Sequence, residues 1–463
     1  MRKENLKLPH TVMCEELIST LNFKEAIKKV KSNKGSPGID GMSVDELDIN
    51  NLAMFEETRS RILARKYRAK PVKTVEIPKD NGQKRKLGIP TVMDRVVQQA
   101  VVQVITEPFE KTFSEFSYGY RPNRSAEDAT RQIQIYIAEG YKHVVEMDLS
   151  KYFDTVNHDI LMNEVDKTLF DKDIRRLIHV FLKSGSFENG FKIESDKGTP
   201  QGGVISPLLA NIYLTPFDKE MENRGVKFVR FADDICILSK SKMAAGRIKR
   251  NAIKFLEKKL KLKINEEKTV ARRAYKSKLL GFEILSYGKI EDGKVKLGMC
   301  RAEKKRVEKL KDKIRIISKR NRGISLERLI SELNLILRGW INYFARANMV
   351  KTIRTLGEWV RRKIRQYAYK LWKTSYSRKH HLRELGVKEW QLNKLRCSAS
   401  KYWKMAFIWN RFITNKMLTE RLNLLDIENY YKEAHAKHMK RDISKIYQYG
   451  LNKERMLKGL VPM

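Results

Sequence analysis

Residues 229–238 read VRFADDICIL, a hydrophobic run interrupted by the adjacent carboxylates Asp233 and Asp234. Taken alone, Ala-Asp-Asp is a tight turn between two strands, because Asp is a favoured turn residue. A third carboxylate changes its meaning. In HVVEMDLS, residues 143–150, strand alternation sets Val145, Met147 and Leu149 on one face and Val144, Glu146 and Asp148 on the other, with Asp148 at the strand's end. Alone, Asp148 is a helix N-cap or a surface acid. Phosphoryl transfer between nucleotides uses two divalent ions about 3.5–4 Å apart, and clustered carboxylates hold such hard cations. An aspartate at one strand end and a pair in a neighbouring hairpin turn would supply that donor set.

The elements that must position these groups alternate between strand and helix up to about residue 285. Residues 15–32 predict a helix with Leu17, Leu21, Ala26, Ile27 and Val30 on its apolar face, ending at NKGSPGIDG. Two β-rich runs between 72 and 90 flank Asp80-Asn81-Gly82, and the second arm of this hairpin carries Lys84, Arg85 and Lys86. Residues 92–109 read as a helix, and 143–150 as a buried strand followed by a helical segment through 165. Near residue 300 the pattern changes. Residues 301–400 hold 28 Lys and Arg against 8 Asp and Glu. LERLISELNLILRGWINYF, residues 326–344, places Leu326, Leu329, Ile330, Leu333, Leu337, Trp340 and Phe344 along one helix face. The compositional boundary falls at 290–300. KYWKMAFIWNRFITNKML, residues 401–418, mixes aromatics and cations as a base-stacking, phosphate-contacting surface does.

The chain has 463 residues and a net charge of +41, an excess whose self-repulsion implies a polyanionic partner. Nucleic acid is favoured over a membrane, since no window offers the apolar stretch of about 20 residues that a spanning helix needs. The N-terminal MRKENLKLPHTVMCEEL lacks the apolar segment of a secretion signal, so a cytoplasmic location is expected. Cys14, Cys236, Cys300 and Cys397 are scattered and read as reduced thiols. His380-His381 lies in a basic polar stretch without the partner spacing of a metal site.

Asp148 with Phe153 five residues on, GTPQGGVISPLLANIYL at 198–214 and FADD at 231–234 together resemble the reverse transcriptase family. NKGSPGIDG, IPKDNGQKRKLGIPTVMDRVVQQAV and SYGYRPNRSAEDA resemble the early blocks of group II intron reverse transcriptases. LKLKINEEKT and KLLGFEI resemble their last two blocks, and LNLILRGWINYF their maturase-specific thumb. The resemblance covers roughly residues 20–425. It implies an α+β fold: right-hand polymerase fingers and palm over 1–295, a helical thumb or maturase domain over 296–374, and a small basic, mostly helical DNA-binding domain over 375–430. A basic tail, 431–463, receives no assignment, and no Cys- and His-bearing endonuclease module is seen, as in the compact bacterial type.

The same resemblance implies RNA-templated DNA synthesis joined to binding of the parent intron RNA. Asp148, Asp233 and Asp234 become the catalytic carboxylates and the ligands of two Mg²⁺ ions, with Mn²⁺ a possible substitute. Lys79 and Arg85 would contact the triphosphate, Phe153 would exclude a 2′-hydroxyl, and Gln201 would lie near the templating pair. The expected partners are group II intron RNA, an RNA template with DNA primer, target DNA and deoxynucleoside triphosphates. Phe231 stands where the family usually has Tyr. An intron-free descendant serving host defence or repair is the alternative, and a non-catalytic RNA-binding splicing factor is disfavoured by the intact aspartates.

Overall fold

Apolar residues cover the Val92–Glu110 helix almost all round, from Val96, Val97 and Ala100 to Val104 and Ile105, so it must lie inside a core rather than on one. In the computed structural model it does. The structure describes residues 11–48, 53–78, 82, 84–188, 191–193, 196–275, 277–291, 294–395 and 402–457. Two compact units divide the chain: Met1–Ile133 with Tyr141–Arg272, and Gln134–Gly140 with Arg273–Met463.

The first unit is α+β. Its central sheet runs in the order Lys227–Phe231, Asp234–Ser239, His143–Met147, Val270–Arg273. The first three strands are antiparallel neighbours, with Phe231 opposite Asp234 and Met147 opposite Ile235. The Asp234–Ser239 strand is buried from Ile235 onward, as its unbroken apolar run requires. A second sheet joins the antiparallel Val72–Pro78 and Lys84–Ile89 hairpin to Ser186–Glu188 and Phe191–Ile193.

Two helical expectations are corrected here. Residues 15–32 form two helices, Val12–Leu17 and Thr20–Ser32, because Thr11 and Ser19 each cap a helix start with the side-chain oxygen. The restart shifts the phase, so Phe23, Ala26, Ile27 and Val30 are buried while Leu21 is 83% exposed. The segment after Asp148 is likewise broken, into Tyr152–Thr155 and His158–Asp166, the second capped by Asn157.

The second unit is mainly helical, with small sheets among residues 278–302. Leu326–Phe344 forms a single helix that buries Leu326, Leu329, Ile330, Leu333, Leu337, Ile341 and Phe344. Ile341 takes the inward place expected of Trp340, as the 3.6-residue period drifts over five turns. Val350–Leu371 packs against Tyr402–Ile408 and against the long helix Ile427–Leu457. That last helix docks on the connection after Phe344. Tyr431 donates from its hydroxyl to Ala347 O (2.6 Å) and accepts from Met349 N (2.9 Å), and Asp442 binds the buried Arg346 at 2.8 Å. No described helix is long and apolar enough to cross a membrane.

Candidate active site

The hairpin that carries the paired aspartates turns through Ala232 and Asp233, leaving Asp234 as the first residue of the returning strand. Ala232 has φ +57°, a left-handed conformation costing a non-glycine residue about 1–2 kcal/mol. Arg230 holds it there. Fully buried, its guanidinium donates to both oxygens of Asp218 (2.5–3.0 Å), to Asn211 Oδ1 (2.9 Å) and to Ala232 O (3.1 Å). Asn211 and Asp218 lie seven residues apart on the Ser206–Asn223 helix, two turns along one face. Asn211 also donates to Gly119 O at 2.8 Å. Gly119 backs directly onto the turn, where a Cβ would fall 2.2 Å from Ala232 N.

Asp148 follows the last paired residue of its strand, level with Asp234 in register. Its amide donates to Thr269 Oγ1 at 3.3 Å, its carbonyl accepts from Asn265 N at 2.9 Å, and Lys268 lies 3.4 Å from its carboxylate. Burial pushes the Asp233 carboxyl above the usual carboxylate range against the pull of a hydrogen bond from its own backbone amide, and Asp148's charge adds to the rise while Arg85 and Arg230 oppose it. Arg85 and Asp233 also act on Tyr120, whose hydroxyl is raised by burial first and then by Asp233. The hairpin arm therefore brings Arg85 within electrostatic reach of the aspartates. Lys79 lies outside the described residues.

A second group of contacts holds the loops around a cleft that Asp148, Asp233 and Asp234 do not line. Asp94, Arg95 and Gln98 on the Val92–Glu110 helix each fasten a different loop. Asp94 accepts from Tyr67 (2.6 Å) and Lys70 N (3.2 Å), Arg95 donates to Ser36 O (2.7 Å), and Gln98 accepts from Val204 N (2.9 Å). Gly198 (φ +87°) donates to Val156 O at 2.7 Å, and a Cβ there would fall 2.9 Å from Phe153 O. The buried His158 bonds Gly198 O at 2.7 Å through Nε2. These contacts place Phe153, Gln201, Lys86 and Gly198 on one cleft of about 180 Å³. Phe153 is buried, its ring edge-on to Tyr152.

Sequence reasoning missed Arg230, Asp218, Asn211, Gln98, His158 and Tyr120. Tyr120, Gln98, Asn211 and Arg230 lie inside stretches quoted above, but nothing local singled them out within those stretches. The His380-His381 reading also needs correction: Glu384, one turn on, lies 3.4 Å from His380 and 3.0 Å from His381. Among the described residues this is the one set of three whose donor atoms lie within 4.8 Å of one another, so the aspartates are set wider. The set is largely exposed, and a hydrogen bond joins His381 Nδ1 to Glu384 at 3.0 Å.

Residues 77–284 match the family described as Reverse transcriptase (RNA-dependent DNA polymerase), and residues 307–386 match Group II intron, maturase-specific domain. Protein YkfC of Escherichia coli (strain K12) is 33% identical over 285 residues, covering 53% of this chain and 75% of that protein. The chain belongs to the group II intron-encoded reverse transcriptase/maturase family. Within that family, the Group II intron-encoded protein LtrA of Lactococcus lactis subsp. cremoris is 28% identical over 435 residues, covering 75% of this chain and 72% of LtrA. The family's function is RNA-directed DNA polymerisation joined to assistance of splicing, and both domains are present here. A chain of the solved "Partial Cas6-RT-Cas1--Cas2 complex" is 25% identical with a TM-score of 0.35, over 56% of this chain and 47% of the other. The chain spans about half the length of that solved chain, and at this score the likeness carries no argument.

Proposed function

We propose that this chain itself polymerises DNA on an RNA template and clamps its parent intron RNA to assist splicing and mobility. The observation that carries the reading is the register that sets Asp148 level with Asp234, beside Asp233, at one end of the central sheet. Burial, and with it the charge of Asp148, opposes ionisation of Asp233, a local excess of negative charge that divalent cations would relieve. Asp148, Asp233 and Asp234 fit Mg²⁺, two ions with Mn²⁺ as a substitute. When bound, the metal stabilises the attacking and leaving oxygens of nucleotidyl transfer. Arg85 and Lys79 would hold the triphosphate. Phe153 would exclude a 2′-hydroxyl, and Gln201 would pack near the templating pair.

In this reading residues 1–295 are fingers and palm, 296–374 the thumb and maturase-specific domain, and 375–430 a DNA-binding domain. The Ile427–Leu457 helix extends the maturase region, since Tyr431 and Asp442 dock on Ala347 and Arg346. Intron RNA, target DNA, a primed template and deoxynucleoside triphosphates are the partners, met in the cytoplasm.

Primer extension and filter binding, run in parallel, test this. Asp233→Asn should abolish Mg²⁺-dependent extension and leave RNA binding intact, because the basic surfaces are untouched. Extension near the wild-type rate would remove Asp233 from the site. Competition at moderate salt tests the maturase half: structured RNA flanking the gene should outcompete scrambled RNA of equal length, and equal competition would sink that half alone.

A further inference from the structure

In the second unit, the Val350–Leu371 and Tyr402–Ile408 helices enclose a cavity of about 380 Å³, within the roughly 300–1,000 Å³ of ligand clefts. Its walls are unlike those of an ordinary core. Trp359, Trp403 and Phe407 line it, with Trp403 37% and Phe407 70% exposed. The Arg362 guanidinium lies 4.0 Å over the Trp403 ring and 5.5 Å over Phe407, and its buried Nε has no hydrogen-bond partner. The Lys363 ammonium stands 5.4 Å from Trp403 and 5.7 Å from Trp359, while Arg315 reaches Trp359 at 5.6 Å.

Arg315 is paired with Asp312, but no ion pair to an acid engages Arg362 or Lys363 among the described residues. Glu358 at the rim is exposed, and Glu428 is engaged by Arg361. Burial, then the charges of Arg315 and Arg320, hold the Lys363 ammonium below its usual range. Like charges gathered around exposed aromatic faces are stabilised by a ligand that is flat at one end and anionic at the other. Bases stack on aromatic rings whatever their identity, and their phosphates neutralise Lys and Arg.

We propose that this cavity takes one unpaired nucleotide of a single-stranded nucleic acid, its base stacked on Trp403 and Phe407 and its phosphate held by Arg362 and Lys363. The proposal rests on the reading of the chain as a nucleic-acid enzyme and adds a site to it. Paired bases are stacked within their duplex and cannot enter, so the site discriminates strandedness. RNA and DNA share the required chemistry, and the two are separated by experiment.

The test measures binding of the full chain to a labelled single strand, as RNA and as DNA, and to the matching duplexes. Phe407→Ala and Trp403→Ala should each weaken single-strand binding roughly ten-fold, the scale of one lost stacking contact, and leave duplex binding within about two-fold. Trp403→Phe, which keeps a ring, should restore most of the loss. The dependence on salt should be unchanged in these variants and shallower by about 0.7 in Lys363→Gln, because of the residues substituted the lysine alone carries a charge to the phosphate. Loss with RNA alone, DNA alone or both supports the site and names its strand. Unchanged single-strand affinity in both alanine variants overturns the site and leaves these rings to a protein partner. Equal losses on single strand and duplex overturn it too, since the rings would then act through folding. Failure of the wild type to bind any strand defeats the reading on which the site rests.

Discussion

Arg230 and Asp218 form an ion pair with neither side chain exposed to solvent, and the same guanidinium fastens the left-handed Ala232 beside Asp233. The position of the paired aspartates is thus set by a charge on the preceding strand and a helix behind it. Burying both charges carries a large desolvation cost, which the guanidinium's hydrogen bonds to Asp218, Asn211 and Ala232 offset.

Removing one partner strands the other. Arg230→Met or Asp218→Leu should each destabilise the first unit by about 3–5 kcal/mol, whereas the double variant Arg230→Met with Asp218→Leu should lose clearly less than the sum. Denaturation of the four proteins measures the coupling, and strict additivity would show that the pair is not the source of the stability.

Asp233→Asn should gain stability while it loses catalysis. The folded protein holds the Asp233 carboxyl above its unfolded value, so its ionised form is disfavoured by the fold and destabilises it at neutral pH. In chelator the variant should melt roughly 1–3 °C above wild type. Added Mg²⁺ should raise the wild-type Tm and narrow the difference; a variant that melts lower in chelator contradicts the charge argument.

Phe153→Ala should admit ribonucleotides. The ring is buried, so its loss should also cost about 3–5 kcal/mol, and the ratio of ribo- to deoxynucleotide incorporation is the proper readout rather than rate. That ratio should rise at least about ten-fold. An unchanged ratio would assign sugar selection to another group.

His158 gives a pH dependence of opposite sign to Asp233. Burial depresses its pKa, outweighing the bond to Gly198 O, with Lys183 and His179 adding repulsion, so the folded state favours the neutral ring. Its contribution is fully present above the unfolded value of about 6.5 and is lost as pH falls through the lower folded value. His158→Gln should flatten the fall in thermal stability as pH drops below about 6.5. A profile as steep as wild type would place the titration elsewhere.

The strand end at Asp148 and the hairpin at Asp233 were legible because their signals are local: alternation over eight residues in one case, a polar break in an apolar run in the other. The Leu326–Phe344 helix was legible for the same reason, its stripe being long enough to outvote one misplaced residue. Leu21 was misread because caps at Thr11 and Ser19 restart the helix, and an apolar stripe cannot register a phase change within one turn. Gln98 and Val204 are 106 residues apart, and neither sequence neighbourhood names the other. Arg230 and Asp218 are 12 apart but belong to different elements, and a cation on a strand gives no sign that it will be wholly buried. Side chains that hold a site in place take their meaning from tertiary packing, whereas metal-binding residue types announce themselves.

The docking of Tyr431 and Asp442 on the connection after Phe344 imposes an order in time. Asp442 is made 96 residues after Arg346. At roughly 5–20 residues per second, a nascent chain carries Arg346 without that partner for about 5–20 seconds. The helices that flank Arg346 can form in this interval, but their connection cannot reach its final hydrogen bonding. The part assigned to gripping RNA is therefore completed only after the sheet bearing Asp148 and Asp233 has left the ribosome.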